Sequence, residues 1–320
     1  MSIFHRIYRF FSQCYPPPSK FDIDRDIPDL SGKVVIVTGG NTGIGYQTIK
    51  ALLAKNAKVY MASRSREKAE AAIAKLKHET GKQALFLELD LASLDKVTRA
   101  AQEFKSKERE LHILFNSGGV MTPPIDLLTE DGFDLQFGTN VLGHAHFTLS
   151  LIPELQAGAK SSPDSKARVV NTTSLVVYLH PMTPRIKFES LRDGPGRKAI
   201  GTRNLYSQSK FGVIAFSNEL AKRYADYGIT SNAVNPGNLD SDLQRHMSAL
   251  QKWMTDLLFS HPVQLGALTQ LYVGTSSETV DANGQMFIPW ARPYYHEPET
   301  HDPRVEAELW EWIEEQRVGH

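Results

Sequence analysis

The stretch VVIVTGGNTGIG, residues 34–45, passes from a strand pattern through a glycine-rich turn into a helix pattern. Its first half is an uninterrupted β-branched run that ends at glycine, which is typical of a strand buried on both faces. The glycines allow a tight turn, close backbone approach to a diphosphate and close helix packing, and the helix N-terminus offers free N–H groups. The stretch therefore predicts a dinucleotide-binding loop. The predicted contacts from this loop are Gly39, Asn41, Thr42, Gly43, Ile44 and Gly45.

Further apolar runs without polar alternation follow, and helical patterns separate them. They lie at 58–63, 84–90, 111–116, 167–174, 229–236 and 284–289. This alternation is typical of a parallel sheet covered by helices on both faces. No boundary or repeat interrupts the series. We therefore expect an α/β fold with a single doubly wound (Rossmann) domain at 32–290, a mostly seven-stranded parallel sheet, an N-terminal arm at 1–31 and a C-terminal helical extension at 291–320.

Composition narrows the partners and the compartment. The chain has 320 residues with 36 basic and 36 acidic side chains, so it lacks the positive field that non-specific nucleic-acid binding needs. Its one cysteine, Cys14, permits no intrachain disulfide and fits a reducing intracellular setting. No apolar run approaches the roughly 20 residues of a membrane span, and no signal peptide is recognisable. We expect no nucleic-acid partner and a cytoplasmic location.

The two terminal segments carry amphipathic patterns. The arm opens with MSIFHRIYRFFSQCY, which is basic and aromatic and places apolar residues near helical spacing. We favour docking of this helix on the protein's own body, with peripheral contact to a membrane surface as the alternative hypothesis. The acidic extension has Val305, Leu309, Trp312 and Ile313 at helical spacing. We expect it to pack on the domain or on a second subunit of an oligomer.

The residues that follow the second strand bear on the choice of cofactor. A carboxylate at this point would bind the adenine ribose hydroxyls of NAD and repel the 2′-phosphate of NADP. The chain instead has ASRSREK at 62–68. Arg64 can bind that phosphate with two hydrogen bonds, with Arg66 or Lys68 adding charge. Solvated arginines at a helix start are the alternative, but there they oppose the helix dipole. We predict NADP(H).

Two segments place a tyrosine four residues before a lysine: YQTIK at 46–50 and YSQSK at 206–210. This spacing alone is weak evidence of catalysis because one such match is expected by chance. The first pair lies at the start of the helix after the glycine-rich turn, close to the expected phosphates. We interpret it as coincidental.

A set of motifs occurs in a fixed order: TGGNTGIG, NSGG, NVLGHAHF, NTTS, YSQSK and NPG. Together they resemble the short-chain dehydrogenase/reductase family over residues 32 to about 290. The segments PRIKFESL and NPGNLDSDLQRHM are similar to the retinol-dehydrogenase-like branch, including its fungal members.

The resemblance implies catalytic roles. Tyr206 would be the general acid or base, Lys210 its helical neighbour, Ser174 the partner of the substrate oxygen and Asn140 the residue that holds a proton-relay water. Ser174 is preferred to Thr173 because it matches the last position of the family's motif. Residues four apart share a helix face, so the Lys210 ammonium can approach both the Tyr206 hydroxyl and the nicotinamide ribose. Its charge, together with that of the oxidised nicotinamide, is expected to lower the phenol pKa.

The resemblance also implies further cofactor contacts. These are Asp90, Leu91, Asn116, Gly118, Pro236, Gly237 and Ser241, besides Tyr206 and Lys210. NSGG stands where the family usually has Asn-Asn-Ala-Gly. We expect this departure to loosen the loop without removing a catalytic group.

The predicted function is an NADP(H)-dependent carbonyl reductase or alcohol dehydrogenase that acts on apolar substrates. The loops 178–205 and 243–262 are predicted to cover a lipophilic substrate, with simple packing or a subunit contact as the alternative. An NADP-binding regulatory or redox-sensing protein is the alternative. A light-driven protochlorophyllide reductase is a relative with the same scaffold that usually relies on a cysteine near its site. It fits less well, because the one cysteine of this chain, Cys14, lies in the arm. We predict no metal site, since His144 and His146 point to different helix faces.

Overall fold

The computed structural model describes residues 3–179, 185–239, 261–294 and 301–320. The strands are β1 Val34–Thr38, β2 Lys58–Ser63, β3 Leu85–Glu88, β4 Ile113–Asn116, β5 Ala167–Thr172, β6 Ile229–Val234, β7 Met286–Ile288 and β8 Arg292–Tyr294. The helices are α1 Ile3–Cys14, α2 Ile23–Asp26, α3 Gly43–Ala54, α4 Arg66–Thr80, α5 Leu94–Lys107, α6 Leu135–Phe137, α7 His144–Ser150, α8 Ile152–Ser161, α9 Val176–Leu179, α10 Pro195–Ile200, α11 Thr202–Tyr224, α12 Val263–Thr275 and α13 Pro303–Gln316. A π-helical segment, Gly138–Gly143, joins α6 to α7.

The strands form one sheet in the order β3-β2-β1-β4-β5-β6-β7-β8. β1 to β7 pair in parallel, which confirms the predicted doubly wound α/β fold. β8 adds an eighth strand, antiparallel to β7. This strand lies within the range predicted as an extension, because the chain turns back along the sheet edge before it leaves.

Successive side chains of β1 point to opposite faces of the sheet, and each face has its own apolar core. Ile36 belongs to the core that includes residues of α5, α7, α11 and α13, whereas Val35 and Val37 belong to the core that includes residues of α3, α4 and α12. Burial on both faces is the reason that the strand reads as a continuous apolar run.

The single helix expected at about 134–155 is interrupted. The backbone passes through α6, the π-helical segment and α7, then breaks at Leu151 (φ −106°, ψ 11°) before α8. Pro153 lies in the first turn of α8, where its missing N–H does not interrupt the hydrogen-bonding pattern. The apolar sequence pattern reveals neither the π-helical segment nor the break at Leu151, because side chains are buried in the helices before and after them.

Both termini pack on the domain. In α13, Leu309, Trp310 and Ile313 are buried, and the Trp310 ring stacks on Phe216 of α11 with 5.9 Å between centroids. At the other end, Gln13 of α1 is buried and bound to Asn235. Docking of the arm on the protein's own body is therefore confirmed. None of the helices in the described ranges is long and apolar enough to cross a bilayer.

The packing of α8 generates a stability prediction. A Cβ added at Gly158 would lie 2.1 Å from the Leu111 carbonyl oxygen, so the backbone has to move. We expect Gly158→Ala to lower the free energy of unfolding by about 1–3 kcal/mol, as overpacking does. Gly196→Ala is the matched control, because its added Cβ meets nothing closer than the Glu189 side chain at 4.0 Å. Urea denaturation measures both; equal midpoints would contradict the packing argument.

Candidate active site

A cleft opens at the carboxyl ends of β1 and β4. The chain continues from β1 to β2 on one side and from β4 to β5 on the other, so the connections diverge there. In open α/β sheets such a point leaves a crevice that binds ligands. The cleft encloses about 800 Å³ and is lined by the loop after β1, residues 117–119 after β4, and the first turns of α4. All six residues predicted from the glycine-rich turn line it.

The glycines of this turn meet different constraints. A Cβ at Gly39 (φ +66°) would lie 2.8 Å from the Gly118 Cα, and one at Gly45 would lie 2.6 Å from the Gly39 carbonyl oxygen. A Cβ added at Gly43 (φ +57°) would meet no atom of another part of the chain within 4 Å, so the positive φ and not a lack of space selects glycine. α3 begins at Gly43 and its first N–H groups have no partner within the helix. The cradle therefore fits a diphosphate.

The Thr38 hydroxyl ties the ends of β1 and β4 together. It accepts hydrogen bonds from the backbone N–H groups of Ser117 (2.9 Å) and Gly118 (2.8 Å) and lies 2.9 Å from His144 Nε2. Since both acceptor positions are occupied, its own proton is donated to Nε2. Sequence reasoning missed Thr38, although its place directly before the glycines was a usable signal.

This arrangement fixes the state of His144. With Nε2 accepting, Nδ1 carries the proton and donates to the Asn140 carbonyl oxygen at 3.1 Å. Burial lowers the His144 pKa to about 4, so the ring is neutral near pH 7. His144 thus connects β1 to the π-helical segment in a role that the sequence did not reveal.

The loop after β4 is held firmly, against the expectation that Ser117 would loosen it. Besides the N–H bond to Thr38, the Ser117 hydroxyl donates to Gln270 Oε1 at 3.0 Å. Gln270 of α12 is fully buried and donates its amide to the Thr48 hydroxyl on α3. The Ser117 hydroxyl thus binds the loop after β4 to α12, a contact that the sequence motif alone cannot indicate.

Tyr206 lies in the first turns of α11, buried opposite the end of β5. The Ser174 side chain is close enough to the Tyr206 hydroxyl to lower its pKa. The neighbouring Thr173 hydroxyl instead donates to the Lys210 carbonyl oxygen at 2.7 Å. Of the two candidates in NTTS, Ser174 is therefore the one whose side chain acts on the pKa of the tyrosine.

Lys210 is buried one turn after Tyr206 on the same helix. Its Nζ donates to the Thr172 carbonyl oxygen at 2.9 Å and lies 5.8 Å from the centre of the Tyr206 ring. An ammonium has three donors, so two remain for other partners. Tyr206 and Lys210 thus lie on adjacent turns of one helix, as their spacing predicts.

Burial shifts the pKa values of Tyr206 and Lys210 in the directions that favour their neutral forms. It raises the pKa of Tyr206 above that of a free phenol, although the Ser174 side chain acts the other way. It lowers the pKa of Lys210 to about 8. In the protein alone the tyrosine pKa is therefore raised and not lowered, because desolvation of the phenolate outweighs the opposing effect of Ser174.

Asn140 lies in the π-helical segment and joins the loop after β4 to α11. Its Oδ1 accepts from Val120 N–H at 2.9 Å, and its Nδ2 donates to the Val120 carbonyl oxygen and to the Ser209 hydroxyl, both at 3.0 Å. Both amide protons are thus used. The proposed role of Asn140 in holding a water stays a prediction.

Other predicted contacts occupy different positions. Leu91 is buried against Gly118, and Asp90 accepts a hydrogen bond from Ala92 N–H at 3.1 Å. The Asn116 amide is directed into the core, where it donates to Asn171 Oδ1 at 2.8 Å. Its side chain is thus engaged away from the cleft.

The loop after β6 carries the predicted nicotinamide side. Pro236 is buried, and Gly237 (φ +88°) packs where an added Cβ would lie 3.0 Å from the Trp290 ring. Ser241 lies outside the described residues, as does most of the predicted substrate loop 243–262.

Three basic side chains line the far end of the cleft: Arg64, Lys68 and Lys75. Arg66 is directed elsewhere, since it pairs with Glu88 at 3.5 Å and stacks on the Phe86 ring at 4.6 Å. Of the two residues expected to assist Arg64, Lys68 is therefore the one in place. Lys75, two helical turns further along α4, was missed because it lies outside the ASRSREK stretch.

The remaining candidates of the sequence have other partners. Lys50, the lysine of YQTIK, pairs with Glu79 at 3.0 Å. His146 accepts from Arg317 Nε at Nδ1 and is bonded through Nε2 to Thr98, so it shares no partner with His144. Within the described ranges no group of three or more His, Cys, Asp or Glu is arranged to hold a metal.

Comparison with known proteins gives consistent matches. The family model described as short chain dehydrogenase matches residues 33–182 and 194–252. A short-chain dehydrogenase/reductase from Armillaria gallica is 52% identical over 307 residues, covering 96% of this chain and 97% of that protein. Retinol dehydrogenase 11 from Mus musculus is 38% identical over 261 residues, covering 81% and 78%.

Solved structures agree on the fold. An uncharacterized protein from Mycobacterium paratuberculosis matches with a TM-score of 0.70 and 26% identity, covering 93% of this chain and 98% of that one. A short chain dehydrogenase from Burkholderia cenocepacia in complex with NADP matches with a TM-score of 0.63 and 24% identity, covering 82% and 98%. The ordered motifs, the doubly wound sheet and these matches lead to one conclusion: the chain is an oxidoreductase that belongs to the short-chain dehydrogenase/reductase family, as a retinol-dehydrogenase-like member of fungal type.

Proposed function

We propose that the protein is an NADP(H)-dependent carbonyl reductase or alcohol dehydrogenase in which Tyr206 is the general acid or base. The observation that carries this proposal is the buried pair on α11: the Lys210 Nζ lies 5.8 Å from the centre of the Tyr206 ring and donates to the Thr172 carbonyl oxygen at 2.9 Å. A bound nicotinamide supplies the hydride. The protein groups then have to supply a proton and to stabilise the charge that develops on the substrate oxygen.

The protonation states favour this division of roles. A Tyr206 hydroxyl with a raised pKa stays protonated and can donate to a carbonyl oxygen during reduction. The Ser174 side chain acts on the pKa of the Tyr206 hydroxyl, and we assign it to the same substrate oxygen. Lys210 is anchored on the Thr172 carbonyl oxygen, so its remaining protons can bind a ribose hydroxyl and approach Tyr206.

The preference for NADP over NAD is supported by charge. Arg64 and Lys68 line the cleft just after β2, and Lys75 adds a third positive charge. No carboxylate replaces them at the strand end, where one would bind the ribose of NAD.

An apolar substrate is supported by two observations. The loop 243–262 is rich in large apolar residues in the sequence, although most of it lies outside the described residues. The likeness to retinol dehydrogenase 11 points the same way. A regulatory NADP-binding protein remains the alternative, and turnover distinguishes the two.

Replacing Tyr206 by Phe removes the proton donor and keeps the ring. We expect kcat to fall by about 10²–10⁴-fold with NADPH and a panel of apolar aldehydes and ketones, because general acid catalysis contributes about that much. NADPH binding, followed by its fluorescence, should remain. Tyr46→Phe is the matched control from the second tyrosine-lysine pair and should keep full activity.

Two outcomes of this comparison count against the proposal. Full turnover by the Tyr206→Phe variant would remove the assignment of the acid. Tight NADPH binding by the wild-type protein without turnover of any carbonyl would favour the regulatory alternative.

Replacing Arg64 by Ala tests the cofactor preference. A hydrogen bond to a charged group contributes about 1.5–3 kcal/mol, so the KM for NADPH should rise by about 10- to 100-fold while the KM for NADH changes little. Arg66→Ala is the control, because Arg66 is bound to Glu88 outside the cleft. Equal effects of Arg64→Ala on both cofactors would refute the preference for NADP.

We also propose that the arm touches a membrane surface. Tyr8, Phe11 and Tyr15 of the arm are 70%, 49% and 55% exposed, and residues 1–15 include Arg6 and Arg9 without an acidic residue. Aromatic and basic groups on one short helix suit an anionic lipid surface.

Sedimentation with anionic vesicles tests this contact. The wild-type protein should co-sediment, and Phe11→Ser should weaken the partition by several-fold since it removes a large apolar group from the surface. Tyr227→Ser is the control, as Tyr227 is 56% exposed on another part of the chain. Absence of co-sedimentation, or equal loss with the control, would exclude the proposed surface.

A further inference from the structure

The end of the N-terminal arm packs against the end of β6. Gln13 is 1% exposed and Cys14 is fully buried, although the preceding residues Tyr8 and Phe11 are largely exposed. Gln13 Oε1 accepts a hydrogen bond from Asn235 Nδ2 at 2.8 Å. Asn235 directly follows β6, and its own N–H donates to the Phe287 carbonyl oxygen of β7 at 2.8 Å. The arm therefore binds a residue whose position is fixed by the sheet.

The same Asn235 amide shapes the turn that follows. Its Oδ1 accepts from Gly237 N–H at 3.1 Å, while its Nδ2 is held by the arm. Because the amide group is planar, rotation that breaks one of these bonds disturbs the other. One side chain thus joins the arm to the Pro236–Gly237 turn.

A second set of contacts holds the arm on the flanks of this turn. His261 Nε2 donates to the Cys14 carbonyl oxygen at 2.8 Å, and the His261 ring packs edge-on against Trp290 with 5.3 Å between centroids. Trp290 is the ring that limits the space at Gly237. Arg292 Nη2 also donates to the Ser12 carbonyl oxygen at 2.7 Å. Movement of the arm would therefore release both sides of the turn.

We propose that docking of the arm and binding of the cofactor at the Pro236–Gly237 turn are coupled, with Gln13 as a positioning residue. This inference rests on the proposed function, which puts the nicotinamide beside that turn. Coupling between two equilibria is reciprocal: if the docked arm favours cofactor binding, bound cofactor favours the docked arm by the same factor. The arm is then a part of the cofactor site and not an appendage.

Cys14 provides the readout because it is the one cysteine in the chain. Burial raises its pKa to about 11, so the docked thiol is a poor nucleophile and alkylation reports the undocked arm. The rate of Cys14 alkylation by iodoacetamide is measured by intact mass on the full-length wild-type protein, with and without saturating NADPH. We expect NADPH to slow alkylation by at least about threefold, because it shifts the arm toward the docked state.

The Gln13→Ala variant tests the route of the coupling. Loss of one buried hydrogen bond of ordinary strength corresponds to a factor of roughly two to ten in an equilibrium constant. We expect faster Cys14 alkylation, a KM for NADPH raised by about that factor, kcat changed much less, and a smaller protection by NADPH. Gln102→Ala, an exposed glutamine on α5, is the matched control and should match wild type throughout.

The outcomes separate the inference from the function on which it rests. If NADPH binds the wild-type protein, seen by its fluorescence, and leaves the alkylation rate unchanged, the coupling is refuted while the proposed function stands. If Gln13→Ala alters alkylation but neither the KM for NADPH nor its protection, Gln13 is refuted as the link. If NADPH does not bind at all, the proposed function fails and the inference fails with it.

Discussion

The Thr38 hydroxyl supports the geometry of the whole cleft. Strands β1 and β4 are neighbours in the sheet, but their connections leave in opposite directions, so no backbone ladder holds the two loops beyond the strand ends. Two N–H groups of the loop after β4 bind Thr38 instead, and its proton goes to His144. A hydroxyl suits this position because it accepts two hydrogen bonds and donates one.

The active groups inherit their chemistry from this packing. Tyr206 and Lys210 are both buried, and burial disfavours the phenolate of one and the ammonium of the other. The end of β5 positions both partners of Tyr206. Lys210 is bound to the carbonyl oxygen of Thr172, the last residue of β5, and Ser174 lies two residues after it. A protonated tyrosine beside an anchored lysine is an arrangement suited to giving a proton to a carbonyl.

Several site residues were predictable because their signals are local. The glycine-rich turn, the Tyr206–Lys210 spacing and the basic residues after β2 depend on a few consecutive residues, and of these only Arg66 is directed away from the cleft. Asn116 and Ser117 were harder. Their side chains are directed to Asn171 and Gln270, which lie 55 and 153 residues away in the chain, so no local pattern indicates those partners.

The sequence by itself determined the doubly wound α/β fold and the glycine-rich turn after β1, because strand burial and glycine requirements are set within short segments. Only the tertiary structure showed that the Thr173 hydroxyl is bound to the Lys210 carbonyl oxygen, that Arg66 is paired with Glu88, and how the arm meets the end of β6. These contacts depend on which groups from distant segments arrive at the same point. Hydrogen-bond direction and burial there are properties of the packed chain, not of any one segment.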